Sequence, residues 1–494
     1  MNGREKAVMP GFALTHTHLF MTLARGIYED FSPPHTPPLK DGLAPLPLPR
    51  LSDEEHASMC LLGAVEAKRT KENRMSQDRF GNPYAEGVPY ARGDILTSTE
   101  DDFRKMQQAW QHIAARVRTQ GPEAVFNLSG LEHGLPLQAD ELPVANDFVA
   151  PALYFDAFKQ AALEHLGGSS EHHDVALFNR LTGATYATHL TLVKPGDVVL
   201  GVSASYSHPS VIRAAAQAGA TLIDTKSLVA FRTALERQSR VALVVLTRLA
   251  VTYEIMPERE IREVVQLAHA KHVPVYVDDA GGARVGPAMF DQPRTLQLGV
   301  DVVATGLDKY GTVGPRLGVM AGEKSLVSRI RARAFEMGME ARPFLYPAAA
   351  RSLAGSTPER VRELVETTRM LSVALQDVFG DRLHETPVIA ELLADDILDM
   401  ALQRAGLQTP SIVPYEASAA LAMLLLRDYG VITVHFVGLP PGTSALMFKF
   451  IAPEVLKRFG GAEAYVEAID TCLDKLAEML AEPEHIRRLL LGDA

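Results

Sequence analysis

The sequence predicts an α/β protein: a mainly parallel sheet between helices, followed by a smaller α+β lobe. Three observations point there. From about residue 150, short apolar runs rich in Val alternate with amphipathic stretches. The runs are apolar throughout, as strands buried on both faces must be, whereas a half-exposed strand alternates. After Gly322 the pattern turns mostly helical to about Arg427, and two short apolar runs and two final helical stretches follow.

At 494 residues the chain is too long for one core, so two large lobes and an extra N-terminal piece are expected. The composition suggests an N-terminal arm at 1–75, a linker with helices at 76–150, a large domain at 151–325 and a small C-terminal domain at 326–494. A net charge of −11 argues against nucleic acid or an anionic membrane as partner, because phosphates need a basic face. Cys60 and Cys472 lie far apart without paired spacing, which speaks against a disulfide framework or a zinc ribbon and for a reducing, cytoplasmic home. No apolar stretch of about 18 residues is present to span a bilayer, and Met1 to Lys6 leads into no signal-peptide run.

Along the chain, the apolar start Ala7 to Leu14 runs into Thr15-His16-Thr17-His18. Phe31 to Arg50 is proline-rich and favours an extended spacer or wrapping arm. Asp53 to Lys71 reads as a helix with Ser52 as N-cap. Glu72 to Thr97 is polar and rich in Gly and Pro, hence loop, and a helix follows from about Glu100 to Arg118. Strands are expected at Val198 to Val202, Thr221 to Asp224, Val241 to Leu246, Val273 to Val277 and Val300 to Ala304. Helices such as Pro209 to Ala218 and Glu258 to Lys271 lie between them, and later strands near Val431 to Val437 and Leu446 to Ile451.

Two of these strands end in chemistry. Val275-Tyr276-Val277 runs into Asp278-Asp279-Ala280-Gly281-Gly282, and Val300 to Ala304 runs into Thr305-Gly306-Leu307-Asp308-Lys309-Tyr310-Gly311. Ligands of open parallel sheets sit beyond the carboxyl ends of the strands, so Asp278 and Lys309 can face one crevice. Pyridoxal 5'-phosphate needs such a pair: a lysine to hold its aldehyde as a Schiff base and a carboxylate to keep its pyridine nitrogen protonated. Asp279 is the rival acid. His208, in Ser207-His208-Pro209-Ser210, is the candidate to stack on the ring. Thr182, Gly183 and Ala184, opening a helix after Asn179-Arg180-Leu181, suit the phosphate, because helix-start N–H groups favour anions. Thr305 is a further candidate contact to the phosphate or the lysine.

This order of phosphate cup, stacking residue, acid and lysine resembles the fold-type-I pyridoxal-phosphate superfamily over about residues 150–460. Asp278 to Gly286 resembles the acid loop of the ornithine/lysine/arginine decarboxylase relatives, and Ser207 to Val211 their ring-stacking loop. Asp308-Lys309-Tyr310-Gly311-Thr312-Val313-Gly314-Pro315-Arg316-Leu317-Gly318 is similar to the selenocysteine synthase group and to tryptophanase-like β-eliminating lyases. The resemblance implies a seven-stranded-type, mainly parallel sheet, an amino acid or amine substrate, and a homodimer or homotetramer. Two departures weaken the decarboxylase likeness: Asp308 stands where those relatives carry His before the lysine, and Gly281 where their acid loop carries His. Fold-type-I relatives hold the substrate carboxylate with a late arginine. Here Lys449 occupies that place, and Arg342 is a second candidate for substrate or for a neighbour's phosphate. A lyase acting by α,β-elimination or β-replacement is therefore expected, with aminotransferase, racemase and decarboxylase as alternatives.

Val8 to Gly26 resembles the first barrel strand of cytosine-deaminase-like amidohydrolases, where His-x-His supplies two metal ligands. That likeness ends by about residue 70 without the further ligands a barrel provides. His16 and His18 are read as part of a remnant or fused arm, and no metal site is assigned. His172-His173, beside Glu171 and Asp174, reads as a polar loop near the cofactor. A metal-dependent amidohydrolase and a non-catalytic scaffold are the competing classes; retention of both Asp278 and Lys309 speaks against the scaffold.

Overall fold

The computed structural model describes residues 77–436 and 444–493. His16, His18, Cys60, the proline-rich run and the helix expected at 53–71 lie outside the described residues. The chain divides into two units after Pro83. In the first, residues 77–83 form a turn in which Asp78 Oδ1 accepts from the amides of Phe80 and Asn82.

The second unit is built on a seven-stranded sheet. Its strands are β1 (His173–Phe178), β2 (Val198–Val202), β3 (Thr221–Thr225), β4 (Val241–Leu246), β5 (Val275–Asp278), β6 (Val302–Gly306) and β7 (Gly318–Glu323). They lie in the order β1-β7-β6-β5-β4-β2-β3. β7 runs antiparallel to both neighbours, and β6 through β3 pair parallel, so six strands point one way. The expected strands of the sheet agree to within about two residues. β1 and β7 were not anticipated: HDVALF opens on two polar residues, and GVMAGE is half glycine and alanine, so neither reads as a Val-rich run.

Both faces of the sheet are covered. Val175, Leu200, Val202, Val244, Leu246, Val275, Val277 and Val303 enter one core cluster. Their strand neighbours Ala176, Val199, Leu243, Val245, Tyr276 and Val302 enter another. This alternation is the strand period of two, and it explains the unbroken apolar runs: each face has its own helices to pack against. Each fully buried Val or Leu contributes roughly 1.5–3 kcal/mol.

The smaller sheet is antiparallel, in the order β10-β9-β8, from β8 (Leu383–Glu385), β9 (Ile389–Leu393) and β10 (Ala445–Lys449). The strand expected at Val431 to Val437 is only two residues long. Val431–Ile432 pairs parallel with Phe126–Asn127 before a 3₁₀ turn at Val434–Phe436. The helix expected from Glu100 spans Thr99–Gln120, with Ser98 Oγ accepting from the Asp101 amide. It packs on the C-terminal region: Tyr415 bonds Asp102, and Glu416 Oε1 accepts from the amides of Ile95 and Leu96 at 2.7 and 2.8 Å. A third core cluster joins the small sheet to the loops beyond the strand ends of the large one, through Leu131, Leu249, Tyr253, Tyr310, Ile389, Met447 and Phe450.

Among the described residues no helix is long and apolar enough to cross a membrane.

Candidate active site

A cavity of about 370 Å³ opens beyond the carboxyl ends of β4, β5 and β6. Asp278, Lys309, His208 and Thr182 all line it, as does Lys449 at the end of β10. Sequence separation hides this meeting, which the parallel sheet creates by placing consecutive strand ends side by side.

Asp278 closes β5, its backbone opposite Ala304 of β6. It is 3% exposed, and its Oδ1 has no hydrogen-bond partner. Burial, then the neighbouring Asp279 carboxylate, push its carboxyl up to about 7, against the pull of Lys309. Asp279, the rival acid, is already engaged. Its Oδ2 accepts from Thr295 at 2.6 Å and lies 3.1 Å from Arg248. Successive residues at a strand end point to opposite faces, so only one of the two acids can look into the cavity.

Lys309 sits in a tight turn after β6, followed by Tyr310 at φ +35° and Gly311 at φ +88°. Gly311 is the residue that tolerates such a φ without strain. Its amide donates to Glu132, and the Thr312 hydroxyl caps the Lys309 carbonyl. Burial lowers the Lys309 amine, with Arg316 and Arg284 lowering it further and Asp308 and Asp278 opposing. His208 caps the helix Pro209–Gln217: its Nδ1 accepts from the Ser210 amide at 3.1 Å. Burial and the surrounding cations hold its imidazole down to about 4. At neutral pH the ring is therefore uncharged, and the Nδ1 bond leaves the proton on Nε2.

The anion end of the cavity is made differently from expectation. The helix Leu181–Leu192 has no side-chain cap and no acid in its first turn. Its close approach is allowed by Gly318, where a Cβ would lie 2.7 Å from Leu181 Cα. The Gly183 and Ala184 amides, however, both donate to the Arg180 carbonyl, at 2.9 and 3.3 Å, and neither residue lines the cavity. Thr182 does, together with three arginines not anticipated: Arg180, Arg213 and Arg316. The last lies 3.9 Å from Asp308. Arg180 and Arg316 stand beside the residues singled out in the sequence, at the helix start and after Lys309, whereas nothing in the sequence separates Arg213 from a solvated arginine.

Three further expectations change. Thr305 is fully buried behind the site, where it accepts from Arg284 and donates to the Ala280 carbonyl. Arg342 is 68% exposed and pairs with Asp147; it does not line the cavity. His173 opens β1, which runs parallel to β6 through two reversals, so His172 and His173 lie at the amino end of the sheet, opposite the cavity. Among the described residues no three His, Cys, Asp or Glu side chains are grouped to hold a metal.

Thr247, Tyr253 and Tyr310 also line the cavity, and Thr247 Oγ1 is buried without a partner. Tyr310 explains one departure noted in the sequence. A Cβ on Gly281 would lie 2.2 Å from Tyr310 Cε2, so the tyrosine ring fills the space a side chain there would take. Gly281 has φ −119°, which alanine adopts freely, so only this contact forbids it. Gly281→Ala is expected to cost about 1–3 kcal/mol by overpacking and to displace the ring. Urea unfolding of the variant checks this, and an unchanged midpoint would show that the ring is free to move.

These residues fit pyridoxal phosphate. Asp278 Oδ1 lacks the donor that a pyridinium N–H supplies, Lys309 offers an amine in the same cavity, and an uncapped helix start with three guanidinium groups suits a phosphate dianion.

Comparison with known proteins agrees. The model of the family "Aminotransferase class I and II" matches residues 148–436. A UPF0425 pyridoxal phosphate-dependent protein of Methanothermobacter thermautotrophicus is 30% identical over 81% of this chain and 100% of its own length. One from Methanosphaera stadtmanae is 26% identical over 78% and 97%. Among solved structures, alanine–glyoxylate aminotransferase from Nostoc sp. aligns over 71% of this chain and 95% of its own, at 17% identity and a TM-score of 0.49. The chain is a pyridoxal phosphate-dependent protein and belongs to the aminotransferase class I and II family.

Proposed function

We propose that this protein is a lyase that eliminates or replaces a β-substituent of an amino acid, with Lys309 as the attachment point of the cofactor. The observation that carries the site is the convergence of Lys309 with the unpartnered, buried Asp278 Oδ1 in one cavity. When bound, the cofactor supplies an electron sink for charge developing at the substrate Cα. Asp278, as a carboxylate, would keep a proton on the ring nitrogen. His208, uncharged, offers a flat face for stacking without adding positive charge. Thr182 and the arginines lining the cavity would hold its phosphate. Lys309, its amine lowered by burial, takes the α-proton.

Elimination is favoured over other outcomes by the 308–318 segment and by the hydroxyl-lined wall of Tyr253 and Tyr310. Match to the aminotransferase family model favours a second reading, transamination. The two are separated by incubating the holoenzyme with amino acids, with and without a 2-oxo acid. A lyase releases ammonia and a 2-oxo acid with no acceptor present. Product that appears only when an acceptor is supplied sinks the lyase reading in favour of transamination.

A homodimer is part of the same proposal. Phe148 at 88% and Phe335 at 74% exposure are large apolar residues left in solvent by a single chain.

A further inference from the structure

One wall of the cavity carries a buried polar chain that holding the cofactor does not use. Lys449 Nζ donates to Tyr253 Oη, and Tyr253 Oη is hydrogen-bonded to Tyr310 Oη at 2.5 Å. All three residues line the cavity, and all are under 10% exposed. Phe450 stacks on Tyr310, with ring centroids 3.8 Å apart, and fixes that ring. Five non-glycine residues among those described have positive φ, and Tyr253 (+63°), Tyr310 (+35°) and Phe450 (+48°) are three of them. Strained backbone concentrated at one contact persists where the surrounding structure holds it for a purpose.

Donor counting shows what the chain can do. Each phenol has one hydrogen. Whichever tyrosine donates within the pair, the other keeps a hydrogen for a third acceptor, and the cavity is where such an acceptor can be. We propose that Tyr253, Tyr310 and Lys449 form a proton relay that acts as general acid toward the substituent departing from the substrate. This rests on the elimination reading above. In the step, the electron pair left at Cα when its proton is removed forms the Cα=Cβ double bond, while the bond from Cβ to the departing oxygen breaks and its electron pair leaves with the oxygen. A phenolic proton of the tyrosine pair moves to that oxygen, giving water. The phenol is refilled from Lys449, whose ammonium becomes an amine.

The groups facing Lys449 suit the task. Burial, then Lys309, lower its amine to about 7, with Glu391 of β9 and Asp308 opposing. Tyr253 and Tyr310 are both held firmly in the phenol form by burial. A donor poised near the working pH gives and regains protons with least waste.

The test uses the holoenzyme and two substrates, L-serine, whose hydroxide must be protonated to leave, and β-chloro-L-alanine, whose chloride need not be. Tyr253→Phe and Tyr310→Phe are expected to slow serine turnover by roughly 100-fold or more, in kcat and not in KM. β-Chloro-L-alanine turnover should change only a few-fold. Equal losses on both substrates overturn the relay and leave the tyrosines a structural role. A second readout needs no turnover: the ¹³Cε shift of Lys449 against pH in lysine-labelled full-length protein, assigned by its disappearance in Lys449→Met. A midpoint near 7 that falls further in Tyr253→Phe supports the relay, because the ammonium loses an acceptor. A midpoint near the ordinary value of about 10.4 overturns it. Should the wild-type enzyme eliminate neither substrate, the lyase reading fails, and this titration judges the relay alone.

Discussion

Lys309→Ala is expected to abolish turnover, by on the order of 10⁴-fold or more, while leaving the fold intact. The loss is large because one amine is asked to anchor the cofactor and to move the α-proton, and general base catalysis alone is worth about 10²–10⁴-fold. The fold should survive because the Lys309 side chain is partly exposed to the cavity and its charged form is disfavoured there. Removing it takes away a cavity-lining amine, not a packing support. Borohydride reduction of the holoenzyme followed by peptide mapping should place the cofactor label on Lys309, and the variant should take no label. A label on Lys449, the other cavity lysine, would reassign the site.

Asp278→Asn should stabilise the cofactor-free protein and cripple the enzyme. The folded carboxyl holds its proton to about 7, whereas the unfolded one releases it near ~3.9. Between those values the folded state binds more protons than the unfolded state. Stability of the cofactor-free wild type therefore falls as pH rises through that window, and the whole penalty is present above it. A shift of about three units corresponds to about 4 kcal/mol, the upper bound on what the neutral amide recovers at pH 8. At pH 4 wild type and variant should be alike. Thermal melts of both cofactor-free proteins at the two pH values test this. Turnover should drop on the order of 10²–10³-fold, as when one preorganised charge partner is removed. Equal melting temperatures at pH 8 would mean that water, and not an empty low-dielectric pocket, surrounds the acid.

The pair at the heart of the site was legible because its chemistry is local. A strand that ends in Asp-Asp-Ala-Gly-Gly and another that runs into Asp-Lys-Tyr-Gly each announce a ligand loop, and parallel topology puts both at one edge. The arginines were not legible. Arg213 has the sequence surroundings of a solvated residue, Arg180 and Arg316 stand in quoted motifs without a role of their own, and only the tertiary structure brings all three to one cavity. Arg342 shows the opposite case: its position in the chain suggests a substrate contact, yet its side chain pairs with Asp147 and does not line the cavity of its own chain.

The sequence by itself determined the α/β class, the positions of the central strands and the cofactor, and it supplied His208, Asp278 and Lys309 as the residues proposed to hold it, because apolar runs and strand-end motifs depend on near neighbours. Tertiary structure alone decided between Asp278 and Asp279, by the face to which each points. It also turned Lys449 from a solitary cation into the end of a buried chain with Tyr253 and Tyr310. Those three residues are separated by 57 and 139 positions, and no local pattern records a contact that only the packing of one lobe on another creates.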